Sequence, residues 1–367
     1  MFSSFESGAL TITSSDRPGL YKVKADLRKH DLPIIVVNQW MMRNSPPLLM
    51  PAHVLAADLV VDRRSGDIRG AYPVAAQLIY DRESPLVDIA VCRERVKVIE
   101  NNRNRPFFLY LAHWGIHNPL QALQEDYDAY AHIDDHALRV YSGMIRALDR
   151  SVGRVTRALE ENGLTDNTLI VFTSDNGGAR YIGLPDVNKP YRGFKLSHFE
   201  GGTHVPFMAK WPARISPGSE YDEAVHHIDL FHTFAAAAGA EVPDDRKLDG
   251  VDLVPYVRGD KLGAPHETLF WREGYHQSVQ HQGWKLIRTE LPDNKRWLFH
   301  LAEDPTEQNN LAVEFPGRME ILEALLDAHN AEQADPLWPS VIQSPQLIDK
   351  HGGQPYEEGD EYIYWPN

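Results

Sequence analysis

Three short runs of apolar residues stand out in the middle of the chain. They are residues 107–112 (FFLYLA), 169–173 (LIVFT) and 205–211 (VPFMAKW). Continuous apolar runs of this length are typical of strands that are buried on both faces of a sheet. We therefore predict three buried strands in this part of the chain.

Between the first two runs the spacing of apolar residues becomes helical. Asp134 and Asp135 precede this stretch as N-cap candidates, and Asn162-Gly163 supplies a helix stop. Strand, helix and strand at this spacing predict a parallel sheet covered by helices. The residues that we expect on the buried face of the helix recur every three or four positions: Leu138, Tyr141, Ile145, Leu148, Val152, Val155 and Leu159.

The pattern changes again after about residue 262. Before this point, residues 227–238 predict a helix that Gly239 ends. After it, short runs separated by turn residues predict an antiparallel meander, and residues 316–331 predict a further helix. The four predicted strands of the meander are Leu269–Arg272, Tyr275–Gln280, Trp284–Arg288 and Trp297–Leu301.

These elements predict an α/β fold with a mostly parallel sheet flanked by helices, followed by a smaller antiparallel subdomain with one helix. The strand-like run at residues 32–37 is followed by Pro46, Pro47 and Pro51, which forbid regular structure. We divide the chain into a divergent N-terminal region without an assigned role, the α/β domain, the antiparallel subdomain and a tail that wraps the surface. Their ranges are 1–95, 96–262, 263–335 and 336–367.

Composition narrows the class of partner. The net charge of -15 argues against nucleic acid, since binding to phosphate backbones requires clustered Lys and Arg. A small anionic substrate stays possible, because local charge in a cleft can oppose the overall sign. A single cysteine, Cys92, allows no internal disulfide. We predict no membrane span and see no signal peptide in the first residues, and the sequence indicates neither localisation nor oligomeric state.

Asp175-Asn176-Gly177-Gly178 follows the second strand directly. In open α/β sheets, ligands collect beyond the carboxyl ends of the strands. A carboxylate and an amide oxygen suit a hard divalent cation, and the two glycines permit a sharp turn close to a ligand. The alternative is an Asx turn after the strand, which Asp and Asn also favour.

A histidine and a lysine supply the remaining candidate chemistry. His117 follows the first strand by a short loop, where an imidazole can donate a proton to a leaving group. His113 competes with it, and a loop histidine fixed by Pro119 is the structural alternative. Lys195 can neutralise the charge of an ester oxygen, although a solvated surface lysine is the simpler reading.

The order and spacing of these segments resemble the formylglycine-dependent sulfatases of the alkaline phosphatase superfamily. The matching segments are RPFFLYLAHWGIHNPLQA, TLIVFTSDNGG, RGFKLSHFEGGTHVPFMAKWPARI and LFHLAEDPTEQNNLA. The resemblance runs from about Val96 to the C-terminus and implies an alkaline-phosphatase-like α/β fold. It also implies that the substrate is a sulfate ester or a sulfated carbohydrate. Members of this family are often periplasmic or secreted.

The resemblance implies a role for each candidate residue. Asp175 and Asn176 would be ligands of calcium, the metal expected as cofactor. His117, in the family's H-x-P loop, and Lys195, in G-x-K, would contact the sulfate. His204 stands where many relatives carry Arg, so no role is transferred to it. We expect these groups to meet around one oxyanion pocket.

Several family features have no counterpart in this sequence. Asp134-Asp135 and Asp244-Asp245 lack the surroundings of the paired metal-binding aspartates, and Cys92 lies in C-R-E-R rather than C-x-P-x-R. The resemblance therefore implies a sulfatase without its nucleophile region. The missing region should also hold central strands, so residues 1–95 must fill that gap in another way if no apolar edge is to be exposed.

Three functions stay open at this point. The first is calcium-assisted hydrolysis of sulfate esters, weak or absent in this chain. The second is a non-catalytic protein, either a pseudoenzyme or a truncated gene product. The third is hydrolysis of phosphate or phosphonate esters, because metal and cation chemistry suits both kinds of anion.

Overall fold

The computed structural model describes residues 96–113, 115–334, 337, 343–351 and 354–366, together with the backbone of five strands among the first 60 residues. The chain divides into two compact units. The first comprises Met1–Asp175 and Pro206–Pro265, and the second comprises Asn176–Val205 and His266–Asn367. Residues 176–205, which we had placed in the α/β domain, thus group with the C-terminal part. Apart from its strands, the region 1–95 lies outside the described residues.

A five-stranded sheet forms the centre of the first unit. Its order is β5-β6-β4-β7-β8. The predicted strands at 107–112 and 169–173 are β6 and β7, and β4 pairs in parallel with both. The strand between them therefore comes from the region to which the sequence assigned no role. The five strands are β4 (Ile34–Trp40), β5 (Leu59–Val60), β6 (Phe107–Leu111), β7 (Thr168–Ser174) and β8 (Phe207–Lys210).

The two outer pairings of this sheet are antiparallel, so the sheet is mixed rather than mostly parallel. β5 runs antiparallel to β6, and β8 runs antiparallel to β7. Because Phe207 pairs with Thr173, the chain re-enters the sheet at the end where β7 left it, and β8 must run back. The third predicted strand is also not buried on both faces, since Met208 is 56% exposed.

The long predicted helix, α2, spans His136–Glu161. Asp135 is its N-cap and accepts from the backbone N–H of Leu138 at 2.7 Å, and Gly163 follows its end at φ 68°. Two residues expected on the buried face, Leu138 and Ile145, are more than 40% exposed. The first half of α2 instead turns Gly143 and Met144 toward a short helix, α1 (Gln124–Asp128), and the residues just before it. The side chains that do pack against β6 are Val155, Ala158 and Leu159.

The first unit contains further helices and a second sheet. Residues 96–102 are helical and bury Ile99 in the same core as β6 and α2. The predicted helix at 227–238 is shorter, and α4 (Asp229–Ala237) ends just before Gly239 at φ 63°. A further short helix, α5, spans Val254–Val257. A separate antiparallel sheet contains β1 (Ser4–Glu6), β2 (Leu10–Ser14) and β3 (Tyr21–Ala25).

The second unit contains a short helix, α3 (Glu200–Thr203), together with the predicted meander and helix. Four antiparallel strands have the order β12-β11-β10-β9, and α6 (Pro316–Ala331) packs Leu322 and Leu326 against them. Both predictions are confirmed with bounds shifted by a few residues at most. The strands are β9 (Thr268–Glu273), β10 (His276–His281), β11 (Trp284–Arg288) and β12 (Arg296–His300).

The C-terminal tail is a strand pair rather than a surface wrap. β13 (Gln343–Leu347) and β14 (Tyr362–Pro366) are antiparallel. Ile348 and Ile363 are fully buried in one cluster with Phe199, Trp297 and Phe299. The tail therefore completes a core of the second unit, because its alternating residues YIYWP turn an isoleucine inward.

Candidate functional site

His117 lies in the loop after β6, in the first unit. It is half-buried, and its Nδ1 lies 2.6 Å from the carbonyl oxygen of Asn118. A carbonyl can only accept, so in the neutral ring this contact places the proton on Nδ1. The competing His113 is buried, with 3% of its surface exposed.

Asp175 follows β7 directly and ends the first of the two segments that form the first unit. It is half-buried. Burial raises the pKa of Tyr110 to about 12, and the charge of Asp175 adds to this shift. Tyr110 lies on β6, so the carboxylate of Asp175 acts electrostatically on a neighbouring part of the same sheet.

Asn176 begins the second unit, next to Asp175 in the chain. Its Nδ2 donates to the carbonyl oxygen of Gly177 at 2.9 Å. With the amide nitrogen in this bond, Oδ1 is the atom of Asn176 that suits coordination of a cation. The side chain of Asn176 is half-buried.

Lys195 is buried, with 4% of its surface exposed, so the reading as a solvated surface lysine is wrong. Its backbone N–H donates to the carbonyl oxygen of Gly178 at 3.2 Å. This bond joins residues 192–201, named the Lys195 loop, to residues 175–178, named the Asn176 loop. The next residue, Leu196, has φ 86°, a left-handed conformation that is strained for a branched side chain. Such strain persists only where the surroundings impose it, and it is frequent at binding sites.

Glycines pack the two loops backbone to backbone. A Cβ on Gly177 would lie 1.8 Å from the carbonyl oxygen of Gly201. A Cβ on Gly201 would lie 2.4 Å from the oxygen of Gly193, and one on Gly202 would lie 2.0 Å from that of Ser197. These positions need glycine because no side chain fits between the chains. The loops that carry Asn176 and Lys195 are therefore in close backbone contact.

A buried charge network holds the end of the Lys195 loop. Lys285 on β11 is fully buried and contacts Glu200 at 2.6 Å and Glu307 at 3.0 Å. The backbone N–H of Glu200 also donates to Glu307 at 2.6 Å. Burial acts to raise the pKa of Glu200, but Lys285 and His204 lower it to about 2. Burial raises the pKa of Glu307.

Two stacked histidines lie in the same unit. The rings of His198 and His276 are 4.2 Å apart, and both residues are buried. The backbone N–H of His198 donates to Nε2 of His276 at 3.2 Å. Burial and the nearby charge of Lys285 lower the pKa of His276 to about 3, and burial also lowers the pKa of His198, so both rings are neutral.

The carboxylate of Asp175 and the amide oxygen of Asn176 are ligands of the type that a hard cation prefers. Calcium takes ~6–8 oxygen ligands, and these two side chains supply only part of such a set. Within the part of the chain that the structure describes, no group of three or more His, Cys, Asp or Glu is arranged to hold a metal ion. The two side chains therefore suit calcium only as part of a larger set of ligands.

The sequence-based candidates divide between the two units. His117 and Asp175 belong to the first, and Asn176 and Lys195 belong to the second. That all four meet around one pocket stays a prediction. Sequence reasoning missed Arg192, Glu200, Lys285 and Glu307, although the first two lie inside the quoted segment RGFKLSHFEGG. The closeness of Arg192 and Glu200 to Lys195 in the sequence was the signal that could have identified these two residues.

None of the helices among the described residues is long and apolar enough to span a membrane.

Two family models match the chain. The model described as Sulfatase matches residues 75–240, and the model described as N-sulphoglucosamine sulphohydrolase, C-terminal, matches residues 194–334. The first covers β6, β7 and the Lys195 loop, and the second covers Lys195, the meander and α6.

Curated relatives and solved structures agree with these models. Mouse steryl-sulfatase is 33% identical over 284 residues, which are 66% of this chain and 44% of that protein. The uncharacterized sulfatase YdeN of Escherichia coli K12 is 33% identical over 207 residues, 52% of this chain and 37% of that protein. The chain thus spans less than half the length of these relatives.

The crystal structure of Ps i-CgsB has a TM-score of 0.66 at 26% identity, covering 85% of this chain and 74% of that one. Another structure of Ps i-CgsB, in complex with k-i-k-neocarrahexaose, has a TM-score of 0.65 and the same identity, covering 84% and 73%. The two models, the relatives and the shared fold lead to one conclusion: this chain belongs to the sulfatase family.

Proposed function

We propose that the chain binds sulfate esters and that hydrolysis of the sulfate ester is the reaction to which its candidate residues are suited. The observation that carries this proposal is the backbone contact between the Lys195 loop and the Asn176 loop, in which the loop of a buried cation lies beside the loop of an oxygen donor. An ammonium can balance the negative charge of a sulfate monoester.

Each residue has a role that follows from its chemistry. Lys195 balances the charge of the sulfate oxygens, and His117 in its protonated form, with Nδ1 held by Asn118, donates its Nε2 proton to the oxygen of the leaving alcohol. Asp175 and Asn176 hold calcium. The bound cation would supply positive charge that polarises a sulfate oxygen.

The absence of a matching nucleophile motif from this sequence limits the turnover that we propose. The family's route needs an attacking oxygen, and Cys92 in C-R-E-R does not match the run from which that group is made. We therefore propose that this chain binds the ester and turns it over weakly or not at all. A sulfated carbohydrate is the preferred substrate class, because the similar protein Ps i-CgsB was solved with k-i-k-neocarrahexaose.

Calorimetric titration with inorganic sulfate tests the lysine. We expect Lys195→Met to weaken sulfate binding at least ~10-fold, the effect of losing one charge-assisted hydrogen bond. The matched control is Lys189→Met in the same unit, because the side chain of Lys189 is 71% exposed. Equal affinity in Lys195→Met and the unchanged chain would reject the proposal. Stronger binding of inorganic phosphate than of sulfate would favour the phosphate-ester alternative instead.

Calcium titration tests the two oxygen donors. We expect Asp175→Asn to weaken calcium binding, because it removes the only formal negative charge of the pair. The control is Asp186→Asn, which removes an exposed carboxylate that pairs with Lys189. Identical calcium isotherms for the two variants would contradict the assignment, and turnover of an aryl sulfate with and without calcium then measures activity separately.

A further inference from the structure

An arginine links the Lys195 loop to the C-terminal strand pair. Arg192 is three residues before Lys195, and its guanidinium makes a two-pronged contact with Asp349, at 2.9 Å through Nε and 2.6 Å through Nη2. Nη2 also contacts Glu361 at 2.5 Å. The side chain of Arg192 is only 10% exposed. Planar contacts of this kind fix the direction of an arginine more tightly than a single ion pair does.

The two carboxylates are themselves held in place. Asp349 follows Ile348, which is fully buried, and Arg180 donates to the carbonyl oxygens of both residues. The other oxygen of Glu361 accepts from the indole N–H of Trp297 at 2.8 Å. The strand pair thus presents two fixed acceptors to Arg192.

The other side of Arg192 is fixed to the Lys195 loop. Its carbonyl oxygen accepts from the backbone N–H of Gly201 at 2.6 Å, and its guanidinium lies 4.9 Å from the centre of the Phe199 ring. Arg192 therefore closes the loop 192–201 at its base while its side chain is bound to the tail. The strained Leu196 lies within this closed loop.

We propose that the C-terminal strand pair positions Lys195 and that Arg192 is the positioning residue through which it acts. The matched family models end at residues 240 and 334, so neither includes the strand pair. The ligand class is that of the proposed function, a sulfate oxyanion, and this part of the inference rests on that function. The contact of the tail with the loop does not depend on it.

Hydrogen exchange of the full chain tests the mechanical part. We expect Arg192→Gln to increase hydrogen exchange at least ~10-fold at the amides of residues 193–202. Without the arginine, the loop can open and no contact with the tail has to break. The matched control is Lys350→Gln, which removes the ion pairs of Lys350 with Glu357 and Asp360 inside the tail. Equal exchange in the two variants would overturn the proposal, whatever the chain binds.

A double-variant cycle tests the link to the ligand. Arg192→Gln should weaken binding of inorganic sulfate ~10-fold, and Arg192→Lys, which keeps the charge without the planar fork, should recover only part of it. Adding Lys195→Met to Arg192→Gln should weaken binding less than the sum of the single effects, because both act on one ammonium. Full additivity would overturn the positioning role. If the unchanged chain binds no sulfate while the exchange result holds, the proposed function fails and the role of the tail stands.

Discussion

The backbone N–H of Gly177 donates to the carbonyl oxygen of Gly202 at 2.9 Å. This bond joins the end of the D-N-G-G run to the E-G-G run, 25 positions later in the chain. Neither residue has a side chain that could force the two segments apart. The close approach of the Asn176 loop and the Lys195 loop therefore depends on glycine at both ends of the contact.

The first prediction concerns this contact. Gly177→Ala should destabilise the chain by about 3 kcal/mol, because the added methyl would lie 1.8 Å from a carbonyl oxygen and the backbone must move. Urea unfolding followed by tryptophan fluorescence measures the loss. Gly317→Ala is the control, since a Cβ there meets nothing within 4 Å, and it should stay within about 0.5 kcal/mol of the unchanged chain. Equal stability of both variants would show that the loops tolerate a wider separation.

The second prediction concerns the buried charges. Lys285→Met should cost about 3–5 kcal/mol, because it leaves Glu200 and Glu307 facing each other without a cation. Lys189→Met removes a lysine from an exposed pair and should cost no more than about 0.5 kcal/mol. Chemical unfolding of both variants at pH 7.5 gives the comparison. A small loss for Lys285→Met would mean that the three buried groups are not all charged.

The third prediction concerns pH. The rings of His198 and His276 are neutral in the folded chain, with the pKa of His276 lowered to about 3, whereas unfolded histidines bind protons below about 6.5. The unfolded state therefore binds more protons between these values, and the free energy of unfolding must fall as pH falls from about 6.5 toward 3. Glu200, whose pKa is lowered to about 2, adds to the same trend below about pH 4.5.

His276→Gln provides the test of that trend. Glutamine keeps an acceptor for the backbone N–H of His198 and does not titrate. Unfolding at pH 7.5 and pH 5.5 should show a smaller acid loss in His276→Gln than in the unchanged chain, by up to ~1 kcal/mol. The exposed His132, replaced by glutamine, should leave the acid loss unchanged. An acid loss that is the same in all three chains would contradict a neutral buried pair.

The fourth prediction concerns the cap of α2. Asp135→Ala should destabilise the first unit by about 1 kcal/mol, since it removes the side-chain acceptor for the N–H of Leu138. Asp134→Ala changes the net charge equally without removing that bond. Thermal unfolding followed by circular dichroism compares them, and a loss in Asp134→Ala as large as that in Asp135→Ala would assign the effect to charge alone.

Local patterns predicted the elements that depend on neighbours in the chain. The alternating runs of the meander, the helix at 316–331 and the cap at Asp135 are found where the sequence placed them, because turn residues and caps act over a few positions. The amphipathic pattern of α2 predicted only part of its buried face. Leu138 and Ile145 satisfy the helical period and are still exposed, because the period does not say how far along the helix the core extends.

Long-range pairing was outside the reach of these patterns. The strand β4 lies beside proline-rich sequence and carries no signal that it pairs with both β6 and β7. The tail, rich in proline, glycine and acidic residues, has no local mark of a strand pair whose isoleucines enter a core. The partners of β4 are more than 60 residues away, and the isoleucines of the tail pack with Phe199 from a distant part of the chain. In both cases the energy comes from hydrogen bonds and burial that exist only after folding.

The sequence alone determined which chemistry the chain carries: an imidazole, two adjacent oxygen donors and a lysine in segments that resemble one family. It could not determine the state of those groups. Whether Lys195 is solvated or buried, and which residues hold its loop, depends on Gly177, Gly201, Arg192 and Lys285 meeting from distant parts of the chain. The tertiary structure decided this, because burial and ion pairing are properties of surroundings that the linear order of residues does not specify.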